Sequence, residues 1–144
     1  MNATDLRRYG LFPVARFRIQ DRKLQIEFTN LKITELPECI YAFFIGGKVV
    51  RIGSSKARLK YRLRNYERHI THALNGRKSP TPAQEARKWK KLAGRPGAIY
   101  ARQGTEVKTR LGKFRAYMDE ESILIGKLFR EEPRDQILNR NKHR

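Results

Sequence analysis

Residues 38–55 read ECIYAFFIGGKVVRIGSS. Two apolar runs flank Gly46-Gly47, a dipeptide suited to the tight turn of a hairpin. The pattern predicts two antiparallel strands over 39–52. Side chains alternate along a strand, so Tyr41 shares a face with Phe43, and Arg51 shares one with Val49 and Gly53. Tyr41 and Arg51 are then expected to face one another across the turn. Packing alone does not explain that pair, because a phenol and a guanidinium both need polar partners when buried. Gly53 permits close approach where the second strand ends, and Ser54 and Ser55 supply hydroxyls before the next element.

After the hairpin the period changes. From Lys56 a helix is predicted, with Leu59, Leu63, Tyr66 and Ile70 forming one apolar stripe. Arg58, Arg62, Asn65 and His69 lie on one flank of it, and Lys60, Arg64 and Arg68 lie on the other side. Asn75-Gly76 ends this helix. A second is predicted from Thr81 to about Leu92, with Thr81 as cap, Pro82 at the first helical position and Gln84 completing a capping box. It presents Trp89, read as a packing residue.

Upstream, VARFRI and KLQIEF alternate around QDR and predict a hairpin over 14–28, with Arg16, Arg18, Lys23 and Gln25 outward. Downstream, 98–103 reads as a strand and 106–117 as a hairpin around Leu111-Gly112. DEESILIGKLF, 119–129, reads as a helix whose acids favour its N-terminus. The order gives an α+β fold: a small, mostly antiparallel central sheet flanked by helices. A hairpin-bearing N-terminal extension, 1–36, precedes the main body, 37–144, in one compact unit.

The chain has 144 residues, with 33 Lys plus Arg against 14 Asp plus Glu, a net charge of +19. Such an excess repels itself in the compact state and fits a polyanionic partner. Nucleic acid comes first, with salt-dependent binding; an anionic membrane surface and an RNA-associated structural role are the rivals. Residues 56–78 concentrate the charge, with Glu67 the single acid among them. Lys56, Arg58, Arg64, Arg68, His69, Arg77 and Lys78 are the candidate nucleic-acid contacts. The loop 76–82 and the hairpin 104–115 are candidates for sensing the shape of the ligand. One cysteine, Cys39, excludes an internal disulfide, and no Cys/His spacing predicts zinc. Nothing pairs Cys39 with a base. No apolar run approaches the roughly 20 residues that span a bilayer, and no apolar leader is evident, so a cytoplasmic protein with no membrane partner is expected.

Taken in order, Cys39-Ile40-Tyr41, Arg51-Ile52-Gly53, Gly53-Ser54-Ser55-Lys56, an arginine in KYRLRNY, Glu121 in ESILI and Asn139 in ILNRN resemble the signature of the GIY-YIG nucleases. The resemblance covers about residues 37–141. Two departures stand out: Cys39 replaces the first glycine, and Arg51 replaces the second tyrosine. The resemblance implies a GIY-YIG-like domain over 37–144 that hydrolyses DNA phosphodiesters with one divalent ion, Mg²⁺ or else Mn²⁺. It implies Tyr41 as general base, Arg62 on the scissile phosphate with Arg58 as its rival, and Glu121 as metal ligand with Glu120 and Asp119 as rivals. Asn139 would line the pocket, and Tyr66 would stand near the phosphate. Arg51 and Arg62 are expected to favour the ionised form of Tyr41, since nearby cations lower a phenol's pKa from its usual ~10. A scaffold that binds nucleic acid without cutting it is the alternative. RNA meets the charge as DNA does, and a homodimer is one route to cutting both strands. His69 and His72 lack a third metal ligand and read as solvated or DNA-facing.

Overall fold

The computed structural model describes residues 1–139; the end of the basic tail, with His143, lies outside them. The hairpin expected over 39–52 is β3 (Cys39–Ile45) and β4 (Lys48–Ser55). Gly46 and Gly47 turn it at φ 61° and 84°, the left-handed region that glycine enters without a Cβ penalty. The 14–28 hairpin is β1 (Phe12–Gln20) and β2 (Lys23–Phe28), and β5 spans Gly97–Gln103. These five strands form one antiparallel sheet in the order β2-β1-β5-β3-β4. The N-terminal hairpin therefore joins the same sheet, through β1 on β5.

β3 is buried on both faces, which explains its nearly unbroken apolar run. One face is covered by α3 (Leu59–Leu74) and α4 (Ala83–Lys90). Leu59, Leu63, Tyr66 and Ile70 pack there with Tyr41, Phe43, Phe17 and Trp89. The other face is covered by α1 (Ala3–Arg8) and α5 (Tyr117–Glu131), where Leu6, Leu124, Ile125 and Leu128 pack on Ile40, Ala42 and Ile52. A separate hairpin, β6 (Glu106–Thr109) and β7 (Gly112–Arg115), pairs only with itself. Among the described residues no helix is long and apolar enough to cross a membrane.

Several local expectations shift. α3 starts at Leu59, which leaves Lys56 and Arg58 in the connection ahead of it. Pro82, not Thr81, occupies the cap of α4, and its carbonyl accepts from the Ala86 N–H at 3.0 Å. Thr81 instead donates its N–H to the Ser79 hydroxyl, so the capping box with Gln84 does not form. α1 and α2 (Leu31–Thr34) were not anticipated. They are six and four residues long, too short to show an amphipathic period.

The strand register also differs from simple alternation. It is interrupted between Phe43 and Phe44, so Val49 joins the face of α5 while Val50 joins that of α3. Tyr41 stands opposite Gly53, and Arg51 stands opposite Phe43. Tyr41 and Arg51 thus share a face but are displaced along the strands, not directly opposed.

Candidate active site

Tyr41 is 0% exposed. It lies across Gly53 so closely that a Cβ placed there would meet its hydroxyl at 2.4 Å. Space, not an unusual φ, requires the glycine of the Arg-Ile-Gly triplet. Aromatic edges fix the ring: the Tyr66 and Phe43 centroids lie 5.9 and 6.0 Å away. α3 brings Arg62 over this position, where its Nε donates to the Tyr41 hydroxyl at 3.2 Å.

One turn on, the Tyr66 hydroxyl accepts from Arg51 Nε at 2.6 Å. The Arg51 guanidinium lies 5.2 Å from the Tyr66 ring centroid, and that of Arg62 lies 5.4 Å from it. Arg51 Nη1 also donates to Glu85 Oε1 at 3.0 Å and to the Leu138 carbonyl at 3.3 Å. The second oxygen of Glu85 accepts from Trp89 Nε1 at 2.9 Å. Glu85, on α4, is 6% exposed and went unnoticed in the sequence reading. The one local signal was its isolation, as the sole acid between Glu67 and Glu106.

In front of these groups opens a cleft of about 250 Å³, lined by Arg51, Arg62, Asn65, Tyr66, His69, Thr81, Pro82 and Glu85 among others. Arg51 and Glu85 cancel, so among the described residues the free positive charge lining the cleft is that of Arg62. This suits a phosphate, whose oxygens a guanidinium can bind through paired N–H groups. Burial pushes the Tyr41 phenol well above its ordinary pKa; Tyr66 adds to that rise, while Arg62 and Arg51 oppose it without prevailing. The expected lowering by the two arginines is therefore overturned: desolvation of a fully enclosed phenolate outweighs two neighbouring cations. Burial first, then Arg68 and Arg62, hold His69 below the usual histidine range, so it faces the cleft as a neutral imidazole. Burial likewise pushes the Cys39 thiol up to about 11.

Three expected site residues do not line the cleft: Tyr41 is enclosed behind it, and Asn139 and Glu121 stand elsewhere. Asn139 is buried, and both ends of its amide grip Ile52: Oδ1 accepts from the Ile52 N–H at 2.9 Å, and Nδ2 donates to the Ile52 carbonyl at 2.8 Å. Held at both ends of its amide, it does not line the cleft but steadies β4 between Arg51 and Gly53. Glu121 belongs to α5, in the layer across the sheet from α3. It is not among the residues lining the cleft. It is half-buried, four residues from both Tyr117 and Ile125, on the helix stripe that packs against the sheet. Its carboxylate has no hydrogen bond or ion pair among the described residues. The rival Glu120 is engaged instead, by Arg102 at 2.6 and 3.1 Å and by the Thr105 N–H and hydroxyl at 2.7 and 2.8 Å.

The candidate DNA contacts divide. Arg64 is held by Glu67 and the Ile26 carbonyl, Arg58 by Glu35 at 3.6 Å, and Arg68 by Asn65. Lys56, Arg77 and Lys78 are exposed and make no side-chain hydrogen bond or ion pair among the described residues. Of the set, only His69 lines the cleft.

No family model matches the chain, and no curated protein matches it in sequence. Solved structures do match in fold. Restriction endonuclease HPY188I in complex with product DNA superposes with a TM-score of 0.56 and 16% identity, covering 93% of this chain and 84% of that one. Bacteriophage T4 EndoII, solved as a mutant, gives 0.54 and 24%, covering 88% and 93%. The chain shares with both an α+β fold, here a five-stranded antiparallel sheet flanked by helices.

Proposed function

We propose that the protein is a DNA endonuclease of the GIY-YIG type, hydrolysing phosphodiester bonds with a divalent ion. The observation that carries this reading is the enclosed contact of Tyr41, Gly53 and Arg62 behind a cationic cleft, on a fold shared with two endonucleases. The ordered tripeptides and the charge of +19 support it.

Arg62 binds the non-bridging oxygens of the scissile phosphate. Arg51, neutralised by Glu85, fixes the Tyr66 hydroxyl beside it. Tyr41 accepts the proton of the attacking water. Because burial holds it as a phenol, cleavage rises with pH through the neutral range and keeps rising above pH 9, as the ionised fraction grows.

Glu121 is the ligand this reading assigns to Mg²⁺ or Mn²⁺. A half-buried carboxylate with no protein partner among the described residues has the chemistry a hard cation takes, although it stands across the sheet from Arg62, and no cluster of three or more ligating side chains occurs among those residues. A hydrated Mg²⁺ needs only one or two carboxylates when substrate phosphate completes its shell. When bound, the ion stabilises charge on the phosphoryl oxygens. One cleft cuts one strand; a second copy or a second encounter cuts the other.

The complete enclosure of Tyr41 and the placement of Glu121 across the sheet favour a second reading, a module that binds DNA without cutting it. Supercoiled plasmid incubated with Mg²⁺ separates the two. Nicking by the wild type, lost in Glu121→Ala and Arg62→Ala with duplex binding retained, supports the endonuclease. Intact plasmid with all three chains, under equal binding, refutes it.

A further inference from the structure

The β6–β7 hairpin shares no strand with the main sheet. A two-stranded hairpin is marginal in water by itself, yet this one is tied at both ends. At its base Arg115 Nη1 donates to the Gly104 carbonyl, and the Ala116 N–H to the Thr105 carbonyl, each at 2.9 Å. At its turn the Thr109 hydroxyl donates to the Gly112 carbonyl at 2.9 Å and accepts from the Leu111 N–H at 3.1 Å. The turn thus fixes Leu111 outward, at 101% exposure. Phe114 beside it is 50% exposed.

The register sets Lys108 directly opposite Lys113, so the two ammonium groups share one face. Like charges so placed destabilise a strand pair. Neither lysine, nor Arg110 at the turn, has an ion pair or side-chain hydrogen bond among the described residues. Val107 and Phe114 pair on the opposite face. One face of the hairpin therefore carries Lys108, Lys113 and Arg115 against the single acid Glu106, the other carries Val107 and Phe114, and the tip carries Arg110 and Leu111. A partner that covered only the apolar side would leave the lysine pair unrelieved, whereas a polyanion relieves it. Duplex DNA supplies both complements: rows of phosphates for the cations, and base steps into which an apolar side chain wedges from the minor groove.

We infer that β6–β7 is a second DNA contact, distinct from the cleft. Lys108, Arg110 and Lys113 meet phosphates, and Leu111 presses into a base step. This rests on the reading of the protein as one that acts on DNA.

The test uses the full chain without divalent metal, a fluorescent duplex carrying 2-aminopurine, and salt varied between about 50 and 200 mM. Replacing Lys108, Arg110 and Lys113 together by Gln lowers the slope of log affinity against log salt by about 2.7, from three phosphates at ~0.9 each. Lys108→Arg with Lys113→Arg keeps the wild-type slope. The wild type raises 2-aminopurine emission, and Leu111→Ser abolishes the rise. An unchanged slope in the Gln variant, or no rise with the wild type, overturns the inference. Plasmid nicking assayed in parallel keeps the two readings apart. Nicking with an unchanged slope leaves the endonuclease standing without this contact, and a lowered slope and emission change without nicking does the reverse. A wild type that binds no duplex overturns both.

Discussion

Glu85→Gln should cost this protein a large part of its stability. The Arg51 side chain is 18% exposed and that of Glu85 6%, with 3.0 Å between their charged atoms. Desolvation offsets most of what such a buried pair gains, but removing one member strands the other charge, at about 3–5 kcal/mol. Glutamine can still accept from Trp89 Nε1 through its one oxygen, but its amide nitrogen then faces Arg51 Nη1, so the cost combines the lost charge with the lost hydrogen bond to Arg51. The cleft admits water to this edge, which places the expected loss near 3 kcal/mol. At roughly 3 °C per kcal/mol for a domain of this size, the melting temperature falls by about 10 °C. Arg51→Met alone should cost a similar amount, because it strands Glu85. The double variant should recover most of both losses, since a buried pair replaced by uncharged groups of like volume is often neutral. Urea unfolding of the four chains gives the coupling energy. Single variants that each cost under about 1 kcal/mol, or costs that simply add, would refute the claim that Glu85 exists to balance the guanidinium standing where the resembling family has a phenol.

Gly53→Ala should force Tyr41 from its place, because the new Cβ meets the hydroxyl at 2.4 Å. The strain is about 1–3 kcal/mol, read by denaturant unfolding, with loss of any cleavage beyond what stability explains. Cys39 should resist thiol reagents at pH 8 in the native protein and react fully in denaturant, since it is buried with its pKa pushed up to about 11. Burial raises the Glu120 pKa, but the bonds from Arg102 and Thr105 prevail and hold it below the ordinary carboxylate value. Its stabilisation is therefore present above pH 4.5 and is lost as pH falls through the lowered folded pKa. Glu120→Gln should be less stable than wild type at pH 7, and the gap in melting temperature should close in acid.

How much of this was legible in the sequence depended on range. Gly46-Gly47 and the flanking runs were enough to place β3 and β4, and the stripe of Leu59, Leu63, Tyr66 and Ile70 was enough to orient α3, because both signals are local. The two tripeptides and Arg62 converge because one hairpin and the helix after it deliver them to the same face. What failed was set by partners far along the chain. The Glu85 carboxylate takes its meaning from Arg51, 34 positions away, and the Asn139 amide from the backbone of Ile52, 87 away. Alternation could not foresee the register shift at Phe43 and Phe44, which moves Val49 to the other face. The Tyr41 pKa went the wrong way for a related reason: charge is visible in a sequence, whereas full enclosure is not. Glu121 sits on the helix the sequence predicts, but the layer that helix occupies is a property of the topology.

Single-turnover nicking of supercoiled DNA by wild type and Tyr41→Phe, followed from pH 6 to pH 10 with Mg²⁺, bears most directly on whether this cleft performs hydrolysis. The phenylalanine variant keeps the ring and its packing and removes one oxygen. The expected result is a wild-type rate still climbing above pH 9, and a variant at least ~100-fold slower, as for loss of a general base, with unchanged duplex affinity. A variant that nicks at the wild-type rate, with the same pH profile, would contradict it.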